Sequence, residues 1–120
     1  MIVGVFRDGF LRVTLLLGDE EDSQEIEFIV DTGFAGELTL PYDTLNQVGA
    51  QRIGREPMRL ADGLSRLYDL YEVIAEIDGD PRPVEVVAIE GDPLLGLALM
   101  RDQHLSADIV PGGEMTLETL

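Results

Sequence analysis

Phe28-Ile29-Val30-Asp31-Thr32-Gly33 is the stretch on which the reading of this chain turns. Residues 28–30 are aromatic or β-branched, the composition of a buried strand. Asp-Thr-Gly ends that strand in a turn, and Glu37-Leu38-Thr39-Leu40 begins the next β-type run. By strand alternation Phe28 and Val30 share a face and anchor the turn from below. The tripeptide occurs once in 120 residues. As an ordinary turn, Asp31 would cap its own backbone, and chance supplies this tripeptide in roughly 2–3% of chains this long. A strand on either side argues for more than a turn.

Turn signals punctuate the chain on both sides. They are Arg7-Asp8-Gly9, residues 18–22, Ala61-Asp62-Gly63, Asp78-Gly79-Asp80-Pro81, Glu90-Gly91-Asp92-Pro93 and Pro111-Gly112-Gly113. Asp-Gly and Gly-Gly supply the positive φ that tight hairpins need. The β-type runs between them are 2–6, 10–17, 24–30, 37–40, 56–61, 64–77, 82–90, 105–110 and 114–119. This spacing predicts an all-β fold, mainly antiparallel, with one or two short helices. The first helix would begin at Pro41, bury Leu45 and Val48, and close at Gly49. The second would run from Pro93 to about Asp102, rich in helix formers but interrupted by Gly96.

The length fits one domain, residues 1–120, with a modest aliphatic core. Hydrophobic residues make up 45% of the chain, with no Trp and no Cys. The absence of Cys removes disulfides, thiolate catalysis and Cys-based zinc sites from consideration. With 24 acidic and 8 basic residues the net charge is −16, which repels nucleic acid and anionic membranes alike. The apolar stretch at Met1–Phe6 is short for a signal peptide, and no run approaches a membrane span. A cytoplasmic protein is expected.

Peptide hydrolysis without a thiol, a metal or a Ser-His pair is open to two carboxylates sharing one proton. One takes a proton from water while the other gives one to the carbonyl oxygen. Like charges about 3 Å apart cannot both ionise easily, so their titrations split. Asp31 supplies one carboxylate. The Thr32 hydroxyl can bond backbone across a symmetric interface, and Gly33 lets the backbone approach and offers its N–H. No second Asp-Thr-Gly or Asp-Ser-Gly exists in the chain, so a dyad requires a twofold axis through the site.

The pattern resembles the retropepsin-like (clan AA) aspartic peptidases, in particular the small cellular single-domain type. Three elements carry the resemblance in order: Phe28 to Gly36 with Leu38-Thr39-Leu40-Pro41, then Leu60-Ala61-Asp62-Gly63, then Pro93-Leu94-Leu95-Gly96. It spans residues 2 to 119. It implies a closed retropepsin-like acid-protease barrel, a flap hairpin over a cleft, and a homodimer acting on a peptide or protein substrate with no cofactor. It implies catalytic roles for Asp31, Thr32 and Gly33. Phe34, Ala35, Ala61, Asp62, Gly63 and Leu64 would face substrate from the loop and the flap. Leu94, Leu95 and Gly96 would support the Asp31 loop from behind. Phe34 departs from the small residue usual after the Gly. The flap is not Gly-rich. Retroviral dimers pair their terminal strands, and here residues 114–119 would bring Glu114 and Glu118 near their symmetry mates.

The remaining candidates point elsewhere. Asp62-Gly63 is also an ordinary hairpin tip, and His104, the one histidine, has no Ser or Cys partner in a motif. The acidic loops at 19–22 and 78–80 lack a spaced calcium-ligand pattern and read as solvated tips. No metal site is expected. The main alternative to an enzyme is the same fold used for binding or assembly, with Asp31 fixing only its own turn.

Overall fold

The computed structural model describes residues 1–59 and 62–120. Its strands are β1 (Ile2–Arg7), β2 (Phe10–Leu17), β3 (Gln24–Val30), β4 (Leu38–Leu40), β5 (Gln51–Arg59), β6 (Ser65–Ile77), β7 (Asp80–Ala88), β8 (Leu94–Leu95), β9 (Gln103–Ala107) and β10 (Glu114–Thr119); the helix α1 is Tyr42–Gln47. The fold is all-β in class. None of the described helices is long and apolar enough to cross a membrane.

The ten strands of the described residues belong to one sheet, in the order β5-β6-β7-β4-β8-β3-β2-β1-β10-β9. Most neighbours are antiparallel; β3 with β8 and β4 with β7 are parallel. The sheet bends until β2 also meets β6, through Leu16 with Glu76 and Leu17 with Ala75. This contact is two residue pairs wide, a seam rather than a full strand-to-strand closure.

Local chemistry explains the elements. The β1–β2 and β6–β7 hairpins turn at Asp8-Gly9 and Asp78-Gly79, where all four residues have positive φ. That is the double left-handed turn whose twist matches paired strands. In β2, Val13, Leu15 and Leu17 are buried while Thr14 and Leu16 face outward, the period-two pattern of a half-buried strand. Helix α1 starts after Pro41, buries Leu45 with Val48 just beyond it, and ends before Gly49 at φ +68°. The core joins Phe28, Leu38, Leu40 and Leu95, all fully buried, to the inner faces of β2, β6 and β7.

Two expectations fail, each for a physical reason. Residues 93–102 do not form a helix. Leu94–Leu95 is a short strand and residues 97–102 are turns. Leu95 and Gly96 spend their backbone groups on neighbouring segments instead: Leu95 O accepts from Asp31, and Gly96 N–H donates to Glu37 O. Tertiary hydrogen bonding thus overrides good helix propensity. Strand β5 begins at Gln51, not residue 56, because a bulge between Arg52 and Gly54 breaks the alternation a strand would show. Finally, β10 lies between β1 and β9, paired on both sides. Its edges are therefore occupied, and the terminal-strand pairing of retroviral dimers is closed to it.

Candidate active site

Asp31 stands at the end of β3, where the chain leaves the sheet. Three hydrogen bonds set its place. Its N–H donates to Leu95 O at 2.9 Å, and its carbonyl accepts from Phe34 N–H at 3.1 Å. Its Oδ1 accepts from Gly33 N–H at 2.8 Å. A Cβ at Gly33 would lie 3.1 Å from that same oxygen, so any larger residue would press on the carboxylate and shift it by a few tenths of an ångström. Asp31 is half-buried, while Thr32 and Gly33 are exposed. The loop thus offers a carboxylate, a hydroxyl and a bare backbone to whatever meets this surface.

The segment after Pro93 forms the loop's other wall. Val30 and Ile29 pair with Leu95 and Leu94 in parallel, and Leu38 pairs with Leu95 from the far side. Thr39, buried to 1% exposure, takes Leu94 N–H on its Oγ1 at 2.9 Å. Gly96 then passes so close that a Cβ would lie 2.2 Å from Gly36 O and 2.5 Å from the Phe34 ring. No other residue fits there without movement. Leu97 N–H and Ala98 N–H complete the seam, donating to Phe34 O and Gly36 O. Residues 31–37 and 94–98 are therefore one interlocked unit.

Phe34 corrects an expectation. The resemblance puts it on the substrate side of the loop, yet it is 7% exposed. Its ring fills the space that Gly36 and Gly96 leave open; a Cβ at Gly36 would lie 2.6 Å from it. Apolar burial against two glycines explains why a large residue can stand where a small one is usual. Ala35 is exposed and does reach a surface groove.

That groove runs between the loop and the β5–β6 hairpin. Its volume is about 250 Å³, and its walls include Ala35, Glu37, Glu56, Met58, Leu70 and Glu85. Asp31 is not in its lining. The hairpin reaches the groove with its middle, not its tip. Ala61, expected at that tip, lies outside the described residues. Asp62, Gly63 and Leu64 form a turn held by its own bonds: Asp62 Oδ1 accepts from Leu64 N–H, and Arg59 Nε donates to Gly63 O. Among the described residues no hydrogen bond ties this tip to the Asp31 loop.

One polar cluster was not foreseen in the sequence. At the hairpin's base, Asp69 accepts from the Tyr42 hydroxyl at 2.6 Å and pairs with Arg52 at 3.2 Å and Arg55 at 3.4 Å. The bulge in β5 is the cause. Arg52 and Arg55 are three apart, which regular alternation would place on opposite faces; the extra residue puts both beside Asp69. The Tyr42 hydrogen bond, helped by Arg52 and Arg55, holds the Asp69 carboxyl below its usual range. The same bond pushes the Tyr42 phenol up. Tyr71 stacks edge-on against Tyr42, ring centres 6.3 Å apart. This cluster ties the hairpin to α1. No sequence signal short of the bulge itself would have found it.

No protein-family model matches the chain, and no curated protein matches it in sequence.

Proposed function

We propose that the protein is an aspartic endopeptidase of retropepsin-like type, active as a homodimer with one Asp31 from each copy. The observation that carries this reading is the interlock of the 31–37 loop with residues 94–98, which fixes a carboxylate beside exposed Thr32 and Gly33. In the dimer one Asp31 would be ionised and the other protonated. The ionised one removes a proton from water, whose oxygen attacks the peptide carbonyl carbon. The protonated one donates to the carbonyl oxygen. The tetrahedral adduct then collapses: the first Asp31 passes the proton it took from water to the amide nitrogen, the second takes a proton from one hydroxyl of the adduct, and the C–N bond breaks to release an amine and a carboxylic acid. Thr32 would brace the paired loops, Gly33 would hold the carboxylates in plane, and the β5–β6 hairpin would cover the peptide and exclude water. An extended peptide would add to the exposed backbone of loop and hairpin. The short β2–β6 seam is the point at which the sheet would close into the barrel of this fold.

The test is cleavage profiling of a peptide library with wild type and Asp31→Asn, alongside sedimentation. Cleavage that Asp31→Asn abolishes supports the reading. Equal rates in both proteins, or a strict monomer at high concentration, would defeat it. One observation favours a second reading, a binding or assembly module of the same fold. Asp31 Oδ1 is already engaged by Gly33 of its own turn, as a purely structural aspartate would be. A dimer inert towards the whole library would favour that role.

A further inference from the structure

The groove beside the Asp31 loop has an unusual chemistry for a surface depression. Its floor is apolar, from Met58, Leu70 and Val87, while its rim carries three carboxylates, Glu37, Glu56 and Glu85. At about 250 Å³ it is smaller than the roughly 300–1,000 Å³ of whole-ligand pockets. It has room for one long side chain.

The rim carboxylates are left to themselves. None forms an ion pair among the described residues. The nearby arginines are turned away or occupied. On β5, Glu56 and Met58 share a face by alternation, so Arg55 and Arg59 point to the other. There Arg55 pairs with Asp69 and Arg59 donates to Gly63 O. Arg66, opposite Met58 in register, is held by Asp62 at 3.3 Å. Among the described residues only one rim oxygen has a fixed partner, Glu37 Oε1, which accepts from Glu85 N–H at 3.0 Å. The three carboxylates do not converge on a point, since no group of three acidic or His side chains among the described residues could hold a metal ion. A spread of negative charge over an apolar floor suits a long apolar stem with a cationic head. That is the shape of arginine and lysine, which lay their methylenes on apolar surface and keep the charge at the edge.

We infer that this groove is the specificity pocket of the peptide cleft and accepts a basic side chain, Arg or Lys, of the bound peptide. The inference rests on reading the Asp31 loop and the hairpin as the two sides of that cleft. A carboxylate side chain in the same place would meet like charge, and a neutral polar one would leave three acceptors without a cation. Selectivity for a basic residue follows from what the fold leaves unpaired.

Binding to the Asp31→Asn protein separates this pocket from catalysis. The probes are fluorescein-labelled octapeptides carrying one Arg, scanned along the sequence, each matched to a peptide with citrulline at that place. Citrulline keeps the shape of Arg and removes its charge. At one position Arg should bind roughly ten-fold more tightly than citrulline, the effect of a single partly desolvated ion pair. In Glu56→Gln/Glu85→Gln the ratio should fall to about two-fold or less, and added salt should erode it in the parent protein. Glu37 is left in place because it anchors Glu85 backbone. Circular dichroism establishes that the variant is folded. Equal binding of Arg and citrulline at every position, a preference that survives the Gln variant, or no binding of any peptide would overturn the inference. Wild-type cleavage is read separately. Arg-selective binding without cleavage defeats the peptidase and keeps the pocket; cleavage without selectivity does the reverse.

Discussion

Gly96→Ala tests the contact on which the site is built. The new methyl would lie 2.2 Å from Gly36 O, 2.5 Å from Phe34 Cδ2 and 2.6 Å from Phe34 O. Two of those three atoms are backbone, so no rotamer change relieves the clash. The two segments must separate. Overpacking in a tight interior costs about 1–3 kcal/mol, and a clash against backbone belongs at the upper end. Separation also strains three hydrogen bonds: Gly96 to Glu37 at 2.8 Å, Leu97 to Phe34 at 2.9 Å and Ala98 to Gly36 at 3.2 Å. Each is worth about 1 kcal/mol net. If half of that is lost, the total is about 4 kcal/mol, a large share of the ~5–15 kcal/mol that holds a domain together. For a domain of this size that is a fall in Tm of roughly 16 °C. Thermal unfolding by circular dichroism measures it. Gly9→Ala is the control: its φ is +85° but a Cβ there meets nothing within 4 Å, so it should cost only about 1–2 kcal/mol. A fall for Gly96→Ala no larger than for Gly9→Ala would show that residues 94–98 do not press on the Asp31 loop.

Two further outcomes follow from buried and charged partners. Thr39→Val removes the acceptor of Leu94 N–H and should lower stability by about 1–3 kcal/mol in urea unfolding, with Thr39→Ser restoring most of it; equal stability of Val and Thr would refute the role. The Asp69 carboxyl is held low in the fold, so its stabilisation is complete above about pH 4 and fades as pH falls through its lowered value. The Tyr42 phenol is raised, so its share is complete below about pH 10 and fades as pH rises past its raised value. Tyr42→Phe should therefore flatten stability against pH at both ends, and an unchanged acid limb in urea titrations across pH would count against the pair.

The parts of the fold legible in sequence were those governed by local rules. Asp8-Gly9 and Asp78-Gly79 dictated their hairpins through positive φ, and the β-type run 10–17 between turn signals marked β2. Pro41, Leu45, Val48 and Gly49 outlined α1 because a short helix needs only a start, a stripe and a stop. What escaped was governed by partners distant in sequence. Leu94 to Met100 has helix-forming composition, but its backbone is claimed by Asp31, Phe34, Gly36 and Glu37. The bulge near Ile53 hid five residues of β5 and with them the Asp69 cluster. Analogy puts Phe34 on a surface, whereas two glycines far apart in the chain make a slot for it. In the site, the position of Asp31 at the end of an apolar strand could be read, and the resemblance already pointed to Leu94, Leu95 and Gly96 behind its loop; the form in which they meet it, a short strand in parallel register with β3 and not a helix, needed the tertiary pairing.

The solitude of Asp31 has a geometric consequence. A carboxylate dyad demands that two copies of the loop meet, and in retroviral enzymes the terminal strands supply much of that meeting. Here β10 already has β1 on one side and β9 on the other. Among the described residues the sheet's outer strands are β5 and β9. β5 is poorly suited to adding a partner, since it carries Pro57, a bulge and three arginines, the devices by which edge strands avoid pairing. A dimer of this chain that forms the dyad would then draw its contacts from the loops themselves and from whatever the open β9 edge adds. Leu97 follows the Gly96 crossing and is 49% exposed, and Thr32 and Gly33 stand open on the same interlocked unit. An interface confined to these loops would be small and weak, and each subunit brings a charge of −16 to it. Pairing, and any activity that depends on it, should then be governed by protein concentration and ionic strength to a degree that a sheet-linked dimer would not show.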